Sequence, residues 1–496
     1  MKRKSAIHDS WLYRFRYPLA IGILSLLAIF MVGYRFWFMS SGLSQAEIES
    51  AKVAGNLSLS NLIYAPHGNP LNIVALPWTL LQHISVNIFG PTLFAMRLPA
   101  VVLALVVALL GIVLLRMLTR PSLAVIGGFL MVSSAFYVGM GRAGTAAVMT
   151  TLLIEMALML AYLLISREHA THITILNKLA LVVVLATLCY TPGGLYLVLA
   201  LGLVGLMHPR TRLVLMRGKF KSLPYLVLLL VLIAPIIYVA VAVSGGHEAL
   251  RKLLLLDSRW SLANISTALV GYAGTETGMI GAYIAPVLTI VDLILVAMGL
   301  VVVVRAMSSV RAFLILIFGS VSILMVFAQP ELIFALFVPS VILETIGVGW
   351  LVDKWYSLFP RNPYARTFAI VPLAVLIVSI GWLNINRYFN TLNYNRKVAY
   401  SFNYEYPAVV HELDNNKSSR DKVIVVNNDD VKLYQVLSKH YDVKIVSSSN
   451  YADSGSKGGV VYVVQSCGFK PNKMKLQKIV AGWTKDDSEL LRIYSK

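Results

Sequence analysis

The 496-residue sequence is short of charge. Only 13% of it is Asp, Glu, Lys or Arg, roughly half the fraction usual in soluble domains. That scarcity excludes an ordinary soluble protein of this length. Cysteine is nearly absent. Cys189 sits inside an apolar run and Cys467 near the C-terminus, too far apart in character to pair, so neither a disulfide framework nor a thiolate metal cluster is expected. No Gly-rich phosphate loop joins a strand to a helix, which argues against nucleotide binding. The long first polar joint has no Asp-x-Asp metal motif, and there is neither an internal repeat nor a long low-complexity segment.

What the chain has instead is hydrophobic length, with 58% of its residues apolar. Between Arg14 and Phe389, apolar runs of roughly 20 residues, enough to cross a bilayer, alternate with polar joints. About eleven spans are expected, beginning near Pro18, Arg97, Ser122, Thr145, Leu179, Gly193, Leu223, Pro286, Arg311, Glu331 and Phe368. The first run, Pro18 to Phe38, is too long for a cleavable signal and lacks a small-residue cleavage site, so it reads as a retained span. Thr191-Pro192-Gly193-Gly194 marks a tight turn between the fifth and sixth spans.

The formal net charge is +20, but most Lys and Arg outside the C-terminal region flank apolar runs. There they set orientation and meet anionic headgroups, so a lipid bilayer and not nucleic acid is the expected partner. Lys2, Arg3, Lys4, Arg14 and Arg16 place the N-terminus in the cytoplasm, and alternate joints repeat the basic pattern. The opposite joints are poorer in basic residues for their length. Two of them are large, at 40–96 and 244–285. An odd number of spans leaves the C-terminus outside, at the plasma membrane of a multi-pass protein. Residues 1–389 are thus expected to form the membrane domain and residues 390–496 a small soluble α/β domain on the outer face. In that tail, Val423–Asn427, Val443–Ser447, Val460–Val464 and Glu489–Tyr494 read as strands, and Val431–His440 and Lys473–Val480 as helices. Asn427-Asn428-Asp429-Asp430 has the form of a ligand-binding turn, and equally of an ordinary helix cap.

Ser44 and Glu47 open the first large joint with capping-box spacing. Pro70–Phe89 reads as an amphipathic helix lying in the outer interface, bent at Pro77, with Ile73, Val74, Leu80, Leu81, Ile84 and Ile88 on one side. His67, in the segment leading into it, is either a ligand or proton carrier, or a hydrogen-bonded loop histidine. Glu155, Asp292 and Glu344 fall within or near expected spans, where acids are costly and face a partner or cavity. They show no shared periodicity, which favours a packing role over an ion path.

The stretch GLSQAEIESA (Gly42–Ala51), the run from His67 to Leu118 containing Met96-Arg97-Leu98-Pro99, and YVGMGRAGT (Tyr137–Thr145) together resemble the C-type membrane glycosyltransferases. The resemblance is to the protein O-mannosyltransferase and aminoarabinose transferase group. It is best over Gly42–Leu164 and weaker through Tyr388. It implies a donor sugar on a polyprenyl phosphate, a protein or glycan acceptor, and transfer with inversion at the outer face. It also implies a catalytic acid in the first joint. Glu47 matches that position, preceded by Ala46 where the family usually has aspartate, with Glu49 in reserve. Arg142 matches an arginine opening the fourth span, followed by Ala147 where an acid is common. The chemistry needs a base for the acceptor hydroxyl and positive charge for the departing phosphate. Candidates for the phosphate are Arg142, Arg251, Lys252 and Arg259. Interfacial snorkelling explains Arg251 and Lys252 equally well, an ion pair with Asp257 explains Arg259, and Arg97 has an alternative role as a headgroup anchor. No cofactor is called for by the residues, and a divalent ion is left open. The competing reading is a lipid-linked glycan transporter or an inactive binding relative.

Overall fold

In the computed structural model the following residues are described: 11–34, 42–55, 57, 73–166, 171–216, 223–242, 246–258, 260–274, 278–359, 364, 368, 370–395, 398, 401–416, 422–451, 460–468, 470–471, 474–481 and 489–495. His67 and Arg259 lie outside this set.

The membrane domain is an array of helices. Helix α1 (Trp11–Gly33) leads to the short strand β1 (Leu43–Ser44), helix α2 (Gln45–Gly55) and helix α3 (Leu76–Phe89). Then follow α4 (Leu93–Leu118), α5 (Pro121–Ser133), α6 (Ala135–Arg142), α7 (Ala147–Ser166), α8 (Thr171–Cys189), α9 (Gly194–Met207), α10 (Pro209–Met216) and α11 (Leu223–Ala242). Helices α12 (Gly246–Leu253) and α13 (Leu262–Ala273) precede the hairpin β2 (Gly278–Ile280)–β3 (Tyr283–Ala285). Helices α14 (Ile290–Arg305), α15 (Val310–Ala328), α16 (Phe337–Leu358) and α17 (Ile370–Tyr394) complete the domain.

Among the described residues, eight helices are long and apolar enough to cross a membrane, and nine if the α5–α6 pair, bent by 57°, counts as one span. That makes a multi-pass membrane protein. Of the expected eleven, the two starting near Gly193 and Pro286 fall short in length, as α9 (14 residues) and α14 (16 residues). The 57° bend follows from Ser134, whose extended backbone interrupts the helical ladder. Gly193 holds φ 71° at the start of α9, the left-handed conformation that the turn at 191–194 requires.

Helix α3 differs from its expected form. It starts at Leu76, so Pro77 sits in the first turn, where it is tolerated, and produces no bend. Its polar face points inward: Thr79, Gln82 and Ser85 are buried with Trp78, while Ile84, Ile88 and Phe89 are exposed. An exposed apolar face suits a helix lying against lipid. The cause of the inversion is visible in Gln82 and Ser85, which bond to Met96 O (3.1 Å) and Ala95 O (2.6 Å) at the start of α4. Asp292, expected within a span, instead caps the start of α14 in a capping box with Thr289.

The tail packs onto the first joint. Strand β4 (Phe402–Asn403) pairs antiparallel with β1, and helix α18 (Glu405–Asn415) follows. A five-stranded sheet is then built from β5 (Lys422–Val426), β6 (Val443–Ser447), β7 (Val460–Val464), β8 (Lys475–Ala481) and β9 (Glu489–Ser495), in the order β6-β5-β7-β9-β8. Helix α19 (Val431–Ser438) links β5 to β6. The segment read as a helix at Lys473–Val480 is the edge strand β8. It pairs antiparallel with β9 through two register shifts, and tertiary pairing overrides the helical pattern of its lysines. Lys439 Nζ donates to Gly55 O (2.6 Å), and Tyr406 OH to Pro91 O (3.1 Å). One apolar core, containing Leu43, Ile48, Tyr406, Leu433 and Leu491, is shared by the tail and the first joint.

Helices α14 and α16 pack backbone to backbone. A Cβ on Gly299 would lie 1.9 Å from Leu343 O, and one on Gly347 2.0 Å from Leu295 O. Overpacking at such a contact costs about 1–3 kcal/mol or more. Gly299→Val is therefore expected to lower the thermal unfolding midpoint of the detergent-purified protein, whereas Gly202→Val, at a glycine facing open space, should leave it near wild type.

Candidate functional site

The site begins with the capping box. Glu47 N donates to Ser44 Oγ (3.3 Å), and Ser44 N donates to Glu47 Oε2 (2.9 Å). That pair fixes the first turn of α2 and turns the Glu47 carboxylate toward the membrane domain. Arg97, on the first turns of α4, meets it with a two-pronged bond: Nε to Oε1 at 2.7 Å and Nη2 to Oε2 at 2.9 Å. Arg97 Nη2 also donates to Gly42 O (2.8 Å). Gly144 N, in the joint between α6 and α7, donates to Oε1 (2.8 Å). Each carboxylate oxygen thus accepts two N–H groups, filling the roughly four positions a carboxylate offers. Glu47 and Arg97 are 2% and 3% exposed.

Burial by itself raises the pKa of Glu47. The charge and hydrogen bonds of Arg97, joined by Gly144 N and Ser44 N, outweigh it and hold the carboxyl below its ordinary range. The group is therefore ionised at neutral pH.

Beside this pair lies a cleft with an empty volume, open mouth included, of about 360 Å³. Glu47, Arg97, Arg142, Tyr388 and Phe402 line it, together with Ala282 and Ile284 of the β2–β3 hairpin. Arg387 Nη2 anchors the hairpin's exit through Pro286 O (2.7 Å), and Tyr283 OH lies 2.8 Å from Thr145 Oγ1. Arg142 ends α6 and is 5% exposed. Its guanidinium lies over the rings of Tyr388 and Phe389, 5.5 Å from each centroid. Its Nε and Nη1 have no hydrogen-bond acceptor among the described residues.

The structure brings together two of the sequence-derived candidates, Glu47 and Arg142. Glu49 faces solvent and pairs with Lys52 at 3.3 Å. Arg251 pairs with Asp257 at 2.6 Å, both about half exposed, and neither Arg251 nor Lys252 lines the cleft. Arg97 is not a headgroup anchor: its buried bond to Glu47 makes it part of the site. Its signal in the sequence was the Met96–Pro99 run. Tyr388 and Phe402 carried no signal, because their place depends on the last long helix and the tail folding back over the first joint.

The polar groups that meet in the cleft suit an anion. They do not fit a divalent cation, since the one carboxylate is saturated by N–H donors and its neighbours are guanidiniums. Among the described residues, no three His, Cys, Asp or Glu side chains group as metal ligands.

No protein-family model and no curated protein matches the sequence. Solved structures do match in fold. ArnT from Cupriavidus metallidurans bound to undecaprenyl phosphate superposes with a TM-score of 0.57 at 11% identity, covering 96% of this chain and 97% of that one. Archaeal oligosaccharyltransferase AglB from Archaeoglobus fulgidus, in complex with an inhibitory peptide and a dolichol-phosphate, gives 0.54 at 11% identity over 92% and 70% of the two chains. An Archaeoglobus fulgidus oligosaccharyltransferase complex with Zn and sulfate gives 0.53 at 11% identity over 90% and 68%.

Glu47→Gln would leave the Arg97 guanidinium buried against a neutral amide. A loss of about 3–5 kcal/mol is expected, read as a lower thermal midpoint. The pH dependence follows from the lowered pKa. The pair's contribution is complete above the ordinary value of 4.5 and is lost as pH falls through the lowered folded value. Thermal melts of the wild type should therefore fall more steeply below about pH 4.5 than those of Glu47→Gln.

Proposed function

We propose that this chain, which has the fold of the C-type membrane glycosyltransferases, moves a sugar from a polyprenyl-phosphate donor to an acceptor at the membrane face that carries the tail domain. The observation that carries this reading is Arg142. A buried guanidinium whose Nε and Nη1 both lack an acceptor among the described residues calls for an anion, and a phosphate fits its planar fork. Arg97, Arg142 and Glu47 together leave one net positive charge at the cleft. The solved structures with this fold that hold undecaprenyl phosphate or dolichol-phosphate support the lipid-linked donor. The concentration of basic residues at the opposite ends of the spans supports an orientation with the N-terminus in the cytoplasm and the tail outside.

Glu47 is the proposed base. The acceptor oxygen bonds to the anomeric carbon opposite the phosphate, and the anomeric C–O bond breaks with its electron pair leaving on the phosphate. The acceptor proton passes to Glu47, and the configuration inverts. Because all acceptor positions of the carboxylate are filled in the free protein, the arriving phosphate has a second task. It competes for Arg97 and releases a carboxylate lone pair toward the acceptor. The attacking hydroxyl becomes strongly acidic as its new bond forms, so a carboxylate of low pKa suffices to accept the proton. No metal takes part in this scheme. Glu49, Arg251 and Lys252 have no role in it, because they stand away from the cleft.

Arg142→Gln tests the reading. Removing a buried charge that has aromatic contacts but no acceptor for Nε and Nη1 among the described residues should leave the thermal midpoint near wild type. Binding of undecaprenyl phosphate should weaken by about 1.5–3 kcal/mol, roughly 10- to 150-fold, and sugar transfer in membrane vesicles should be lost. Unchanged lipid-phosphate affinity in this variant would reject the assignment. A binding-only relative would show the affinity without any transfer product in the same vesicles.

A further inference from the structure

The tail sheet reverses direction at β5. From β5 the chain moves to β6 on one side and then to β7 on the other, all three strands parallel. At such a switch point the turns leaving the strand ends diverge and open a crevice, the place where open α/β sheets bind ligands. Here the turn after β5 is Asn427–Asp430, and the turn after β7 is the short 3-10 segment Gln465–Cys467. Glu405, at the start of α18, reaches across to the second turn and accepts from Ser466 N and Ser466 Oγ, both at 2.9 Å. Ser449, beyond β6, donates to Asn428 Oδ1 (3.0 Å). Asn427, Asn428, Asp429 and Ser466 are exposed.

Tyr434, one turn into α19 beyond Asp430, is 2% exposed. Its hydroxyl has no hydrogen-bond partner among the described residues and lies within electrostatic reach of Glu405, Asp430 and Cys467. Burial, with Glu405 and Asp430 nearby, keeps the phenol protonated. A buried hydroxyl without an acceptor is unfavourable, and this one is a donor near the Glu405 and Asp430 carboxylates at the switch point.

We propose that the crevice binds a neutral, hydroxyl-rich saccharide and serves as the acceptor subsite of the transferase. Sugar hydroxyls both donate and accept, which matches carboxylates and an amide set beside a phenol donor. A cation fits less well, because no three acidic or imidazole groups converge there among the described residues. A strongly basic peptide also fits less well, because Lys52 of α2 already pairs with Asp430 at 3.6 Å. The strand ends at the switch point are near the cleft along the chain. Glu405 is three residues from Phe402, a cleft-lining residue, and that length of chain spans at most about 11 Å. Lys52 and Glu47 share α2, about 7.5 Å apart along its axis. The acceptor role rests on the transferase reading; saccharide binding rests on the crevice alone.

The test is calorimetric titration of the full chain in detergent with mannotriose, maltotriose and triacetylchitotriose, alongside calcium and oligolysine. At least one trisaccharide should bind. Tyr434→Phe should weaken it about tenfold or more without lowering the thermal midpoint, since the hydroxyl has nothing to lose in the free protein. Asp429→Asn, at an exposed turn position, should weaken it several-fold and serves if the first variant does not fold. Absence of trisaccharide binding, equal binding by both variants, or binding of calcium or oligolysine in its place overturns the proposal. Undecaprenyl phosphate is titrated in the same preparations. Lipid binding without saccharide binding removes only the acceptor subsite. Saccharide binding without lipid binding removes the transferase reading and leaves a saccharide site.

Discussion

The buried bond between Glu47 and Arg97 is the constraint on which the rest of the site depends. It joins segments that are distant in sequence: the start of α2, the start of α4, the joint after α6 through Gly144 N, and the backbone at Gly42. Next to it, β1 pairs with β4 and draws in the tail. A buried ion pair is not in itself a large source of stability, because desolvation offsets most of the attraction. What it supplies is specificity of arrangement. In this placement the carboxylate and the guanidinium satisfy each other, and separating them would leave a buried charge uncompensated.

That arrangement sets the electrostatics of the cleft. Arg97 is neutralised by Glu47, whereas Arg142 is held by aromatic faces that leave hydrogen-bonding capacity on its guanidinium. Fixed positive charge beside a low-dielectric wall is far more effective than the same charge in water. The hairpin β2–β3 lines the cleft beside this charge, and α3 carries an exposed apolar face at Ile84, Ile88 and Phe89. The tail closes the opposite side, with Phe402 on the cleft and Glu405 on the strand-end crevice. The cleft and the ends of β5 and β7 are therefore linked by only a few residues of chain.

Much of the architecture was legible along the chain. Hydropathy marked the positions where the spans begin, because a bilayer imposes a length on any helix that crosses it. Local hydrogen-bond chemistry identified the Ser44–Glu47 box, and short apolar, β-branched runs identified β5, β6, β7 and β9. Errors arose where a remote partner decided the outcome. Lys475–Ala481 carries a helix-compatible pattern, yet it pairs with β9. The polar face of α3 points inward because Gln82 and Ser85 have carbonyl partners on α4. Arg251 looked as suitable for a phosphate as Arg142 did, since composition alone does not show which arginine already has a carboxylate.

By itself, then, the sequence determined a multi-span membrane protein with a polar α/β tail and placed an acid and an arginine in its first two informative segments. These are properties of periodicity, length and local capping, which act over a few residues. Only the tertiary structure decided that Arg97 belongs to Glu47, that Arg142 Nε and Nη1 have no acceptor among the described residues, and that Tyr388 and Phe402 complete the cleft. The physical reason is that pairing and burial of charge depend on contacts across tens to hundreds of residues, and no local pattern encodes whether a given group is already satisfied.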